Sequence, residues 1–162
     1  MHNSISLFFH LIGFGIVFTA LLGGWTLERR LRLEKEWNQK LFLGKIGNRF
    51  NILFAIASVI MLITGIVNTF NKFSGEINLL YTEGWLIAKI ILFAFFLING
   101  TVFGSILARR RTKLIQGLIE KKAPEDAEAA IKIINKSIST FYLVQFILLI
   151  IIIYLSIAGA EK

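Results

Sequence analysis

The 162-residue chain is 56% hydrophobic with a mean hydropathy of +0.70, and its apolar residues come in blocks, which excludes a soluble domain and gives an integral membrane protein. It lacks cysteine and has two histidines, so disulfides, thiolate ligands and a cysteine nucleophile are excluded, and imidazole chemistry is limited to His2 and His10. The net charge of +8 sits mainly in two short loops between apolar spans, the pattern of a cytoplasmic membrane face and not of a nucleic-acid-binding patch.

The first apolar span covers about residues 5–27. No Lys or Arg precedes it and it is longer than a signal-peptide core, so it reads as a retained helix. His10, Gly13, Val17, Ala20 and Gly24 share one helical face. Small residues on a membrane helix let a neighbour approach, so this face is expected to point into a bundle, His10 with it. Residues 28–49 form a charged connection with seven basic and three acidic side chains. Its Leu31, Leu33, Trp37, Leu41, Phe42 and Ile46 suggest a helix lying on the cytoplasmic membrane surface.

Span two covers about residues 50–70, with Ser58, Met61, Gly65 and Asn68 as its small or polar face. The connection 71–83 has one Lys and two Glu and is read as exoplasmic. Span three, about 85–107, contains a single charge, Lys89, before Arg109, Arg110 and Arg111 end it. A lysine in such a span is costly unless it has a partner, a hydrated cavity or a route to the headgroups. Lys89, Leu92, Phe96, Asn99 and Phe103 are expected on one face, while Phe93, Phe95 and Phe96 read as packing and lipid contact.

Residues 109–136 form the second basic loop, with eight Lys or Arg. Pro124, followed by Glu125, Asp126 and Glu128, marks a helix start that should run unbroken into span four, about 137–158. Gln145, Leu149, Ile152, Ser156 and Gly159 make its least lipophilic face. The expected fold is therefore an all-α, single-domain, four-helix transmembrane bundle in the cytoplasmic (inner) membrane, with both termini outside.

This topology sets depth. His10 and Lys89 both lie about five residues into spans that start outside, roughly 8 Å below the boundary. Thr64, Asn68, Tyr154 and Ser156 reach the same leaflet from the other two spans. The candidate site is thus an outer-leaflet layer of His10, Lys89, Asn68 and Tyr154. Two plainer readings stand beside it: Lys89 snorkels to the headgroups, and His10 is a hydrogen-bonded packing residue. Asn99 and Gln145 are expected to be interhelical hydrogen bonds nearer the cytoplasmic side.

Gly84-Trp85-Leu86 with Ala88-Lys89 resembles the start of the third helix of the HemJ-type protoporphyrinogen oxidases. The run from Arg49-Phe50 to Thr64-Gly65-Ile66, with Tyr81, Gly84 and Lys89, is also similar to the CopD copper-resistance membrane domain. The likeness covers about residues 5–110; span four matches only in hydrophobicity. The resemblance implies a four-helix membrane core, a functional first-helix histidine matching His10 and a functional third-helix lysine matching Lys89. A b-type haem or porphyrin is the implied ligand, with His10 as metal ligand or proton acceptor and Lys89 as partner of a propionate or participant in proton transfer. The HemJ likeness implies a porphyrinogen-oxidising oxidoreductase and the CopD likeness implies copper transport; a non-catalytic scaffold, alone or as a homo-oligomer, is the third reading. Ile87 stands where the HemJ type commonly has histidine before the Ala-Lys pair, and Asn99-Gly100 lie where a further histidine is usual. The absence of Cys and scarcity of Met leave few soft donors for Cu(I).

The charge pattern has a direct test. Ser74→Cys should react with an impermeant thiol reagent on intact cells, and Gln116→Cys should react only after the membrane is opened. The opposite labelling would invert the topology.

Overall fold

The computed structural model describes residues 2–72 and 83–159, with side chains from residue 5 onward. Four helical rods are present: α1 (His2–Leu33), α2 (Trp37–Lys72), a third rod made of α3 (Gly84–Ile98), a π-helical turn (Asn99–Phe103) and α4 (Gly104–Ile119), and α5 (Ala127–Ala158). No strand occurs among the described residues, and all four rods are long and apolar enough to cross a membrane. The expected all-α transmembrane bundle is the observed architecture. The exoplasmic connection read at 71–83 falls mostly on residues 73–82, outside the described residues.

The rods are longer than the apolar spans require. The 36 residues of α2 give a helix about 54 Å long, against about 30 Å of hydrocarbon. The excess lies at the basic end. Only residues 34–36 interrupt α1 and α2, so the charged stretch 28–49 is a helical hairpin continuing the bundle. This corrects the surface-lying helix expected from sequence. Leu31 is buried and lies 3.9 Å from the position a Cβ would take at Gly44, so this apolar side chain packs into the bundle and not onto lipid. The second basic stretch is likewise helical on both sides of a short turn, and α5 starts three residues after Pro124 and runs unbroken into its span.

The inward face of α1 is the one its small residues mark. Gly13, Val17, Ala20 and Gly24 are buried, and a Cβ at Gly13 would press on Met61. Gln145, Leu149, Ile152 and Gly159 are buried at the α5 end of the chain as their spacing implies. Ile, Leu and Phe side chains cover the outward faces, as lipid contact requires.

At the basic end, a buried ion pair joins the first and third rods. Arg111 Nη1 donates to both Glu28 oxygens at 2.8 and 2.7 Å and to Asn135 Oδ1 at 2.9 Å. Arg32 donates to Glu28 at 2.9 Å and to the Asn135 carbonyl. Glu28 and Arg111 are both buried. Three rods therefore meet in one network that sequence inspection did not single out.

The third rod carries its irregularity at the centre of its span. The Gly104 N–H donates five residues back, to the Asn99 carbonyl. The widened turn shifts the helical register, which is why Phe103 is exposed although Phe96, on the same expected face, is buried. Gly100 fills the close approach here, since a Cβ would collide with the Phe54 ring.

Arg111→Met should destabilise the bundle by about 3 kcal/mol, because it leaves Glu28 buried with only the half-exposed Arg32 as partner. Glu28→Met together with Arg111→Met should recover much of that loss. Denaturation in mixed micelles measures both; an unchanged single variant would show that the pair holds nothing.

Candidate functional site

The first rod packs along α2 and hardly touches α3. At the end opposite the basic loops this leaves a cavity of about 440 Å³. His10 and Phe14 come from α1, Met61, Gly65 and Thr69 from α2, Lys89, Phe93 and Phe96 from α3, and Leu149, Ile152 and Ser156 from α5. The lining is mostly apolar and, among the described residues, includes no acidic side chain.

His10 is half-buried and held from α2. Its Nδ1 lies 2.9 Å from Thr64 Oγ1. The Thr64 hydroxyl has one proton, and it donates that proton to the Ile60 carbonyl at 2.7 Å. The hydroxyl oxygen must then accept from the ring, so Nδ1 carries the hydrogen in the neutral imidazole. The Met61 carbonyl, 3.4 Å from the same hydroxyl, adds a second acceptor beside this contact. Nε2 is left as the nitrogen with a lone pair, the arrangement a histidine ligand takes when a neighbour orients it. Gly65 lets the ring lie against α2, with the Cε1 atom 3.5 Å from where a Cβ would stand.

Lys89 lines the same cavity and is half-buried. Among the described residues its ammonium has no hydrogen bond or ion pair, and its ring contact is Trp85, 6.0 Å from Nζ. Trp85 is fixed by a 2.7 Å bond from its indole N–H to Glu83 and by Gly159 packed on its ring. Lys72 sits 5.0 Å from the centroid of that ring and donates to the Gly159 carbonyl at 2.7 Å. The ammonium groups of Lys72 and Lys89 thus both lie within 6.0 Å of one indole ring.

The structure brings together two of the four residues proposed from sequence. Asn68 is half-buried but does not line the cavity; Thr69 does. The lining on α2 moves in four-residue steps from Met61 through Gly65 to Thr69, which leaves Asn68 off the face. Tyr154 is 68% exposed. It lies about 140° around α5 from Leu149 at 3.6 residues per turn, so it faces lipid while Ser156 faces in. Depth alone could not separate these neighbours. Thr64 was placed at the right depth, but its role as the anchor of His10 was not legible. Lys72 and Trp85 gave no spacing signal as a pair.

No three or more His, Cys, Asp or Glu side chains gather as a metal-holding group among the described residues. A metal at His10 would need most of its donors from a ligand. No family model, curated protein or solved structure matches the chain.

The tautomer is measurable. In labelled protein at neutral ring charge, 15N NMR should show a protonated Nδ1 and an unprotonated Nε2 for His10, and Thr64→Val should weaken that preference. A protonated Nε2 in the parent protein would remove the ligand-ready nitrogen.

Proposed function

We propose that this is a membrane-embedded haem- or porphyrin-binding protein of HemJ-like character, with the cavity between α1 and α3 as its site. One observation carries the reading: an apolar cavity contains both a histidine oriented through Nδ1 and a lysine that has no acidic partner among the described residues. Its volume falls within the roughly 300–1,000 Å³ usual for cofactor and small-molecule pockets. The donor set fits a tetrapyrrole, which needs few protein ligands because the macrocycle holds the metal. A bound haem would supply an iron centre whose redox chemistry is tuned by axial ligation and burial.

In this reading His10 binds through Nε2, Thr64 holds the ring, and Lys89 receives a carboxylate of the ligand. Phe93, Phe96 and Ile152 would help keep water out of the cavity around it. An oxidoreductase acting on a porphyrinogen is the enzymatic form of the proposal, with Lys89 managing protons, joined by His10 only where the imidazole acts as proton acceptor in place of axial ligand. Copper transport, the CopD-like alternative, gains no support from a cavity lined by one imidazole and no cluster of metal-binding side chains among the described residues.

Protein purified from cells fed a haem precursor should show a Soret band. His10→Ala should lose or shift it, and Lys89→Met should alter activity more than occupancy. A parent protein without bound haem or porphyrin would end this reading.

A further inference from the structure

The centre of the bundle holds three buried polar atoms without a hydrogen-bond partner among the described residues: Ser58 Oγ, Asn99 Nδ2 and Gln145 Oε1. Ser58 and Gln145 are fully buried. Gln145 Nε2 donates to the Phe96 carbonyl at 3.2 Å, which fixes the amide so that Oε1 remains the open acceptor. Register places the three within about one helical turn of each other along the bundle. Gly100 packs on both Phe54 and the Gln145 amide, Asn99 adjoins Gly100, and Ser58 lies one turn beyond Phe54. The π-helical turn falls at this level too. Such turns recur at functional sites.

Leaving a polar group unpaired within hydrocarbon costs several kcal/mol, whereas water can satisfy a donor and two acceptors together. One water can accept from Asn99 and donate to Gln145 and Ser58. This layer also lies between two cavities. Met61, Phe96 and Leu149, one turn outward from Ser58, Asn99 and Gln145, line the outer cavity. Tyr142, one turn inward from Gln145, and Gly104, one turn inward from Gly100, line a second cavity of about 40 Å³. That inner space also reaches Glu28, Asn48, Asn51 and Arg111 and has room for about one or two waters.

We propose that water at the Ser58–Asn99–Gln145 layer joins the two cavities into a proton path through the bundle. It runs between the Glu28–Arg111 end and the outer cavity, and each hop breaks one O–H bond and forms the next. The titratable groups facing the path are Glu28, Arg111 and Tyr142 at the inner cavity and His10 and Lys89 at the outer one, with Arg32 behind Glu28. The narrow inner cavity and a central layer built of one hydroxyl and two amides suit protons and not hydrated metal ions. This inference stands apart from the haem reading.

The test uses the full chain, purified without haem precursor and reconstituted in vesicles containing a trapped pH dye, with K⁺ and valinomycin clamping the potential. After an external pH step, the parent protein should equilibrate the lumen faster than protein-free vesicles do. Gln145→Leu should return the rate to the protein-free value. Ser58→Ala, a change too small to unfold the bundle, should slow it. Helix content by circular dichroism and elution volume establish that each variant is folded. A parent rate equal to that of empty vesicles would overturn the proposal. So would a folded Gln145→Leu or Ser58→Ala protein that conducts as the parent does, or a rate that requires Na⁺. A missing Soret band in protein from precursor-fed cells, with intact proton flux in these vesicles, would reject the haem reading alone.

Discussion

Inside a bilayer the apolar side chains of a helix gain little by leaving lipid for another helix, so this bundle depends on close approach at small residues and on polar ties. The small residues are Gly13, Gly24, Gly100, Gly104 and Gly159, each of which admits a large side chain from another rod. The strongest tie is the buried Glu28–Arg111 pair, supported by Arg32 and Asn135. It sits at the basic end, where the helices extend past the hydrocarbon.

That placement makes the two ends different. The basic end is closed by charge and by the α1–α2 hairpin, leaving a space of about 40 Å³. At the other end the described residues include ties from Lys72 to the Gly159 carbonyl and from Trp85 to Glu83 and Gly159. There α1 rests on α2 and leaves room before α3, and that gap is the larger cavity. His10 and Lys89 both line that gap.

The polar residues divide by how they are satisfied. His10 is oriented by a threonine whose own hydrogen is committed to a carbonyl. Arg111 is met by a carboxylate and an amide. Lys89 has its stem among apolar side chains and, among the described residues, no acid paired with its ammonium. Ser58, Asn99 and Gln145 each have a buried polar atom with unmet hydrogen-bonding capacity among the described residues.

The number of spans, their order, the inward faces of α1 and α5 and the placement of His10 and Lys89 towards one interior space were legible in the sequence. Block hydropathy, 3.6-residue periodicity and depth counted from the span ends are local properties, and lipid leaves a helix few alternatives. Choosing Thr69 over Asn68, or Ser156 over Tyr154, depends on how far each rod is rotated, and depth says nothing about rotation. The π-helical turn, the Thr64 anchor and the Glu28–Arg111–Asn135 network were settled only by tertiary structure. Each depends on which groups on different rods come within hydrogen-bonding distance, and packing between rods sets that distance.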